Sequence, residues 1–455
     1  MLKSKVAIQT VGSGILPDDV LMVGEKVLKQ WKIPQGQPLT LQFGSFRRQI
    51  KAIPVQRYDG MRMSQGLARG MGIHMGVNLR LRYHSASYTL ALGPLIGVLI
   101  SRDYPGQPDK PFGSITMFCR ELVDACQAQG AFVYFFTPDM IGSSTSSLQG
   151  WVYAGSWRQI TVPVADVVNN RLTSRKLENK PSVQHFLKEV KSRWRVQVFN
   201  EKFLDKSEVF DALRHDAGVQ RYLPESHVLR QFPTLKTMCG RYETVFLKPV
   251  RGSLGKGIIR VSRLSSGGCQ ALYATAAGTK RQQFSTLRAL FDSLSGKMKT
   301  VRYQIQQGLQ LIEIQKRPVD FRALVQKNLA GDWAPTSIVA RIASSQHFVS
   351  NLARGGTLSP VKEAVMRSNV SASAKQDAAA RLQRAALEIA KAIEQHIPAH
   401  FGELGIDLAI DTAGRVWLLE VNSKPSKNDN TPLNEQKIRP SVKQMIHYAR
   451  YLSGF

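Results

Sequence analysis

A mixed α/β (α+β) chain of several domains is what this sequence predicts, and three observations predict it. Short strand-like runs punctuated by Gly and Pro fill residues 1–92. A strand–helix–strand pattern follows over 94–136, and beyond 245 strands with glycine-rich turns alternate with helical stretches. At 455 residues the chain is about three times a typical domain, so roughly two to four domains are expected.

Each element has its own signal. Residues 1–92 read as a β-rich N-terminal module with strands at 6–10, 39–43, 49–55 and 79–83. An apolar run at 94–101 reads as a buried strand. Residues 112–129 place Ile115, Phe118, Leu122 and Cys126 at helical spacing, and 132–136 form a second apolar strand. That βαβ order predicts a small parallel sheet. Residues 171–240 are more polar and mostly helical in pattern; strands and glycine turns occupy 245–263. Helical patterns return at 282–296 and 373–398, strands at 406–410 and 416–421, and a terminal helix covers 434–452. The expected division is 1–92, 93–205 (a small α/β domain), 206–302 and 303–455. No internal repeat is evident at this level.

Composition narrows the class. With 43% hydrophobic and 21% charged residues the chain can bury sizeable cores. Lys and Arg total 62 against 33 Asp and Glu, a net charge of +29, which favours acidic partners such as nucleotides or an acidic polymer. The excess is spread without a polybasic tail, and a uniformly basic solvated surface is the preferred account of it. No nucleic-acid motif with interleaved aromatics accompanies it, so nucleic acid is not the expected partner. Four cysteines without CxxC spacing argue against structural zinc or a disulfide framework and for a reducing, cytoplasmic setting. The most apolar run, 88–101, is too short to span a bilayer.

Two constellations carry chemistry. In Val245-Phe-Leu-Lys-Pro-Val-Arg-Gly-Ser-Leu-Gly-Lys-Gly-Ile-Ile-Arg-Val-Ser262 a strand bearing Lys248 enters a loop with Gly252, Ser253, Gly255, Lys256 and Gly257, and a strand returns. Glycines let backbone N–H groups approach phosphate oxygens, and Arg251 and Lys256 add charge. Strand follows the glycines where a Walker loop requires helix. An exposed hairpin with Lys248 in solvent is the plain alternative.

In Gly405-Ile-Asp-Leu-Ala-Ile-Asp-Thr-Ala-Gly-Arg-Val-Trp-Leu-Leu-Glu-Val-Asn422 the pattern is a hairpin. A four-residue loop between Asp411 and Val416 sets Asp407 opposite Glu420. Alternation then buries Ile406, Leu408, Ile410, Trp417, Leu419 and Val421 on one face and gathers Asp407, Glu420 and Asn422 on the other. Three oxygen-bearing side chains suit Mg²⁺, or Mn²⁺ in its place; scattered acids on an exposed edge are the alternative. Asp407 on the face of Trp417 and Leu419 would contradict this register and the metal set read from it. Between the constellations lie Asp320-Phe-Arg322, Arg341 in a strand-like run, and Asn351 beside Gly355-Gly356.

The phrases 247–257, 320–322 and 417–425 resemble the ATP-grasp superfamily, and specifically the YheC/YheD family of endospore-coat-associated proteins, over roughly residues 94–450. The resemblance implies an ATP-grasp fold after a small βαβ domain, with ATP and Mg²⁺ as cofactors. It implies that Lys248 and the 252–257 loop meet the phosphates, that Lys206 is a second nucleotide-side lysine, and that Gln306, Gln307 and Leu309 border adenine. Asp407, Glu420 and Asn422 become metal ligands; Arg322, Arg341 and Asn351 border phosphoryl transfer. The activity it implies is an ATP-dependent ligase joining an unidentified carboxylate to an amine or other nucleophile. The alternative is a structural or assembly protein of the spore surface that keeps an ATP-binding core, with a spore-coat component as partner.

Overall fold

Hydrophobic residues recur through the N-terminal region at a constant offset of 40, and the architecture there follows from that spacing. Leu21 and Met61, Val23 and Met63, Leu28 and Ala68, Ile33 and Ile73, Leu41 and Leu81, and Ala52 and Leu92 are all buried in one core. Each unit is a strand running directly into a short helix: Val20–Gly24 into Glu25–Trp31, and Gly60–Ser64 into Gln65–Gly70. In the second unit Ser64 caps the helix by accepting from the Leu67 N–H at 3.0 Å. Strand Val20–Gly24 pairs in parallel with Phe46–Val55, and Lys5–Val11 with Gly60–Ser64, so seven strands close into a barrel. The β-rich module is as expected, with short helices following two of its strands. One expectation is corrected: the module contains a repeat, which hydrophobic identity conceals because only burial, not residue type, is kept.

The computed structural model describes residues 5–12, 14–74, 76–143, 146–251, 256–265, 267–275, 278–344, 356–425 and 438–455. After the barrel comes the expected βαβ unit. Strand Leu95–Leu99 pairs in parallel with Phe132–Phe136 and Val167–Asn170, joined by helix Thr116–Gln129. One face of this sheet shares the barrel core through Leu95, Leu99, Tyr134 and Phe136. The other face is covered by Thr116–Gln129 and by the last helix, Pro440–Ser453, whose Val442, Ile446 and Ala449 pack there. Among the described residues no helix is long and apolar enough to cross a membrane.

Two antiparallel sheets make up the rest. The first orders strands Ser226–Leu229, Tyr303–Gln307, Thr244–Pro249, Ile259–Arg263, Cys269–Thr275 and Gly278–Phe284. Helices Phe232–Arg241 and Leu287–Met298 cover one of its faces through Leu235, Met238, Leu290 and Leu294. The second orders Thr357–Pro360, Trp333–Ile342, Arg317–Lys327, Glu403–Ile410 and Val416–Asn422. The long helix Ala378–His396 covers it, burying Leu382, Ala386, Ile389 and Ile393. Alternation assigns each strand a covered and an open face. Val245, Leu247, Ile259 and Ile305 point under helices in the first sheet, as do Phe321, Ala340, Ile406 and Leu408 in the second. Their sequence neighbours are left for the cleft between the sheets.

Because Leu41 and Leu81 occupy equivalent, fully buried places in the barrel, Leu41→Ala and Leu81→Ala should each destabilise it by about 2–5 kcal/mol, with similar values. Chemical denaturation followed at the barrel would contradict the repeat if one substitution were nearly silent.

Candidate active site

The strand that carries Lys248 alternates Val245 and Leu247 into the core with Phe246 and Lys248 into the cleft. Opposite, Asp320 pairs in register with Arg341, Arg322 with Asp407, and Asp407 with Glu420. A charged stripe therefore crosses four strands on one face, and a continuous apolar surface lies on the other. The stripe is tightly bonded. The Arg322 guanidinium donates to both Asp407 oxygens. Arg341 donates to Asp320 at 2.5 Å through Nε and lies 3.1 Å from Asp407 Oδ2 through Nη2.

These contacts set the electrostatics. Burial alone would raise the Asp407 carboxyl, but Arg322 and Arg341 outweigh it and hold it below the usual carboxylate range. Burial likewise disfavours charge on Arg341, and the carboxylates of Asp320 and Asp407 reverse the balance and keep it cationic. Lys248 is the exception. Desolvation and then the neighbouring Lys206 lower it to about 8, with Glu420, Asp407 and Asp320 offsetting only part. Its ammonium donates to Gln306 Oε1, and Gln306 Nε2 donates in turn to Ser226 Oγ at 3.0 Å. Lys206 opens the helix Lys206–Leu213, capped by Asp205, and reaches Glu420 Oε1 at 3.1 Å.

A cavity of about 940 Å³ lies between the two sheets. It brings together Lys206, Lys248, Gln306, Gln307, Leu309, Arg341, Asp407 and Glu420. Its apolar lining includes Phe246, Ile258, Trp417 and Leu419. A second cavity, about 460 Å³, shares Lys206 and Glu420 with the first and adds Asn422. Arg322 lies outside both linings, half-buried against Asp407. Lys256 is exposed, and Gly257 adopts φ +71 with Pro249 Cγ 3.3 Å from where a Cβ would stand. Gly252, Ser253, Gly255 and Asn351 fall outside the described residues.

One expectation is overturned. Asp407 does face Glu420, but the last pair of the hairpin is Ile410 with Val416, one residue off the predicted register. The cause is Asp411, whose carboxylate accepts from the Arg415 N–H and from Trp417 Nε1, each at 2.8 Å. That draws Asp411 into the loop, and Gly414 at φ +90 completes the turn. A β-bulge between Asp407 and Leu408 on one side, opposite Leu419, restores the pairing. Trp417 and Leu419 are thereby turned from the predicted core face into the cleft beside Asp407, while Leu418 takes their place in the core. The metal set can no longer be read from that alternation.

The donors can still be tested on their chemistry. Among the described residues no group of three or more His, Cys, Asp or Glu could hold a metal. Glu420 lines both cavities, Asp407 the first and Asn422 the second. Two carboxylates and an amide oxygen around one wall fit Mg²⁺, which completes its shell with phosphate oxygens and water. Sequence reasoning missed Phe246 although it alternates with Lys248, and missed Arg175 and Lys424 of the second cavity because segments far apart in the chain meet there.

Comparison with known proteins identifies the family. Residues 195–452 match the YheC/D-like ATP-grasp family. The endospore coat-associated protein YheD of Bacillus subtilis (strain 168) is 28% identical over 369 residues, 80% of each chain. YheC of the same strain is 22% identical over 340 residues, 72% of this chain and 89% of that one. The solved structure of the D-alanine–D-alanine ligase from Coxiella burnetii is 13% identical, with a TM-score of 0.45 over 79% of this chain and 95% of that one. The family match takes in more than half of the chain, which belongs to the YheC/D-like ATP-grasp family and carries its mixed α/β ATP-grasp fold behind an N-terminal β-barrel.

Proposed function

We propose that the first cavity binds ATP with Mg²⁺ and that the chain is an ATP-dependent ligase working through an acyl phosphate. The observation that carries this reading is the convergence of Lys206, Lys248 and Arg341 with Asp407 and Glu420 in one cavity that is also lined by Phe246, Ile258, Trp417 and Leu419. The apolar lining, with Leu309 and the Gln306–Gln307 strand end, takes the base, and Lys206 and Lys248 take phosphate oxygens. Asp407, Glu420 and Asn422 would hold Mg²⁺, which when bound neutralises charge on the phosphates. A carboxylate oxygen attacks the γ-phosphorus, the bond to the β–γ bridging oxygen breaks, and ADP leaves with the electron pair. The nucleophile then attacks the acyl carbon and phosphate departs. Arg341, held by Asp320 and Asp407, is pre-set beside the transferred group, which lowers the reorganisation needed.

A second reading, an assembly protein of the spore surface with an ATP-binding core, draws on Asp407, whose two oxygens are both engaged by guanidiniums. Such a network stands without a metal. The name of the relative YheD points the same way, and spore-coat association after synthesis in the cytoplasm belongs to either reading.

Lys248 supplies a test of binding with a definite sign. Its ammonium titrates near 8 in the free cleft, and a phosphate beside it raises that value. Mg·ATP binding above about pH 8 should therefore take up a proton, and apparent affinity should fall as pH rises further. Calorimetry in buffers of different ionisation enthalpy reads the uptake. Lys248→Met should remove it and weaken binding by about 1–3 kcal/mol. Absence of Mg·ATP binding by the folded protein would end this reading.

Turnover separates the two readings. ADP release should rise many-fold only when a suitable carboxylate and nucleophile are supplied together, and Glu420→Gln should abolish the rise. Full spore-coat function in a strain carrying Glu420→Gln would favour the assembly reading.

A further inference from the structure

The second cavity has a composition that the nucleotide does not account for. Its lining includes Arg175, Lys176, Lys206, Arg251 and Lys424 but a single acid, Glu420. Two of these cations are already neutralised. Lys206 pairs with Glu420, and Lys424 pairs with the buried Glu178 while lying 4.4 Å from the Phe203 ring centroid. Among the described residues no ion pair is formed by Arg175, Lys176 or Arg251. Of the acids near them, Asp205 is close enough for Arg175 and Arg251 to help hold it below the usual carboxylate range, although its Oδ1 is taken by the Glu208 N–H and the Ser207 hydroxyl, and Glu208 pairs with Lys202.

Geometry aims one of these cations into the cavity. Arg175 lies 5.1 Å from the Phe203 ring centroid and donates one Nη2 bond to the Leu204 carbonyl, which fixes the plane of its guanidinium and leaves donors unspent. Burial works against charge on Arg175; Asp205, and more weakly Glu178 and Glu208, favour it, and the proximity of Arg251 opposes it. The acids offset the repulsion between two guanidiniums only in part, and an anion between them lowers it further. The floor is apolar, from Val209, Phe210, Val250 and Val421, and about 460 Å³ is the size of a small-molecule site.

Resting on the nucleotide reading of the first cavity, we propose that this second cavity is the acceptor pocket and that its ligand is a dicarboxylate. One carboxylate is presented at the Lys206–Glu420 edge, where the two cavities meet. The other is gripped by Arg175 and Arg251, with Lys176 at the rim. The apolar floor takes the carbon chain between them. The acid that is activated thus carries a second negative group that is never activated, and that group sets specificity. A free diacid and the acidic end of a peptide share this chemistry.

The test is calorimetric, on the full chain, with and without Mg²⁺ and a non-hydrolysable ATP analogue. The probes are glutarate, a Glu-terminated dipeptide, and monocarboxylates of matching length. Diacid probes should bind about tenfold or more tighter than the monoacids. Arg175→Gln should remove that advantage while nucleotide affinity stays within about twofold, and Arg251→Gln, beside the glycine loop, should remove it whatever its effect on nucleotide affinity. Arg251 is exposed, so its variant stays informative if Arg175→Gln perturbs the fold. Whichever of the free diacid and the dipeptide binds better identifies the source. Equal affinity for monoacids and diacids, no diacid binding, or diacid binding that survives both substitutions overturns the proposal. Failure of the nucleotide alone to bind would instead strike the first cavity, and arginine-dependent diacid binding without nucleotide would still be measurable.

Discussion

Asp407, held between Arg322 and Arg341, is the interaction on which the rest of the cleft depends. A carboxylate this buried must be paired; leaving one member of such a network unpartnered costs about 3–5 kcal/mol. Arg322 is its direct cross-strand partner, and Arg341 is tied to Asp320 on the strand between them. Three strands are thereby fixed in register by charge on one face and by Phe321, Ala340 and Leu408 on the other. The register in turn sets Glu420 beside Asp407 at the meeting point of the two cavities. Local order in the sheet and the layout of the site are one constraint.

The division of labour between faces extends this. Each sheet of the ATP-grasp fold covers one face with helices and turns the other to the cleft, so cleft residues are the alternate members of core strands. Phe246 and Lys248 alternate with Val245 and Leu247; Ile258 and Arg260 alternate with Ile259 and Val261. The site therefore lies on rigid strands, where a charged side chain loses little additional freedom when a ligand arrives. Lys206 differs, since it opens a helix whose first N–H bonds to the Val250 carbonyl at 3.3 Å. It couples the end of the lysine strand to the edge shared by both cavities.

Much of this was legible in the sequence, and the failures have physical causes. Lys248, Arg341, Asp407 and Glu420 stood out because a charge inside an apolar, alternating run demands a partner. The hairpin register slipped because a side chain, Asp411, competes for the turn, and alternation takes no account of side-chain hydrogen bonds to the loop. The link from Lys248 through the Gln306 amide to Ser226 could not be read either, because it joins three strands that lie apart in sequence. The N-terminal repeat escaped because Leu21 and Met61, or Leu28 and Ala68, match in burial and not in identity, and its helices are too short to show a period. The second cavity draws residues 173–176, 203–210, 250–251 and 420–424 together, a juxtaposition that no local pattern encodes.

The central claim is that the charged stripe is a phosphate and metal site. It is tested most directly by a crystal structure with Mg²⁺ and a non-hydrolysable ATP analogue. The account predicts the base against Phe246 and Trp417, phosphate oxygens on Lys206 and Lys248, and the cation on Glu420 and Asn422 with Asp407 sharing an oxygen between it and an arginine. A nucleotide bound elsewhere, or one whose phosphates leave Lys248 and Glu420 untouched, would contradict it.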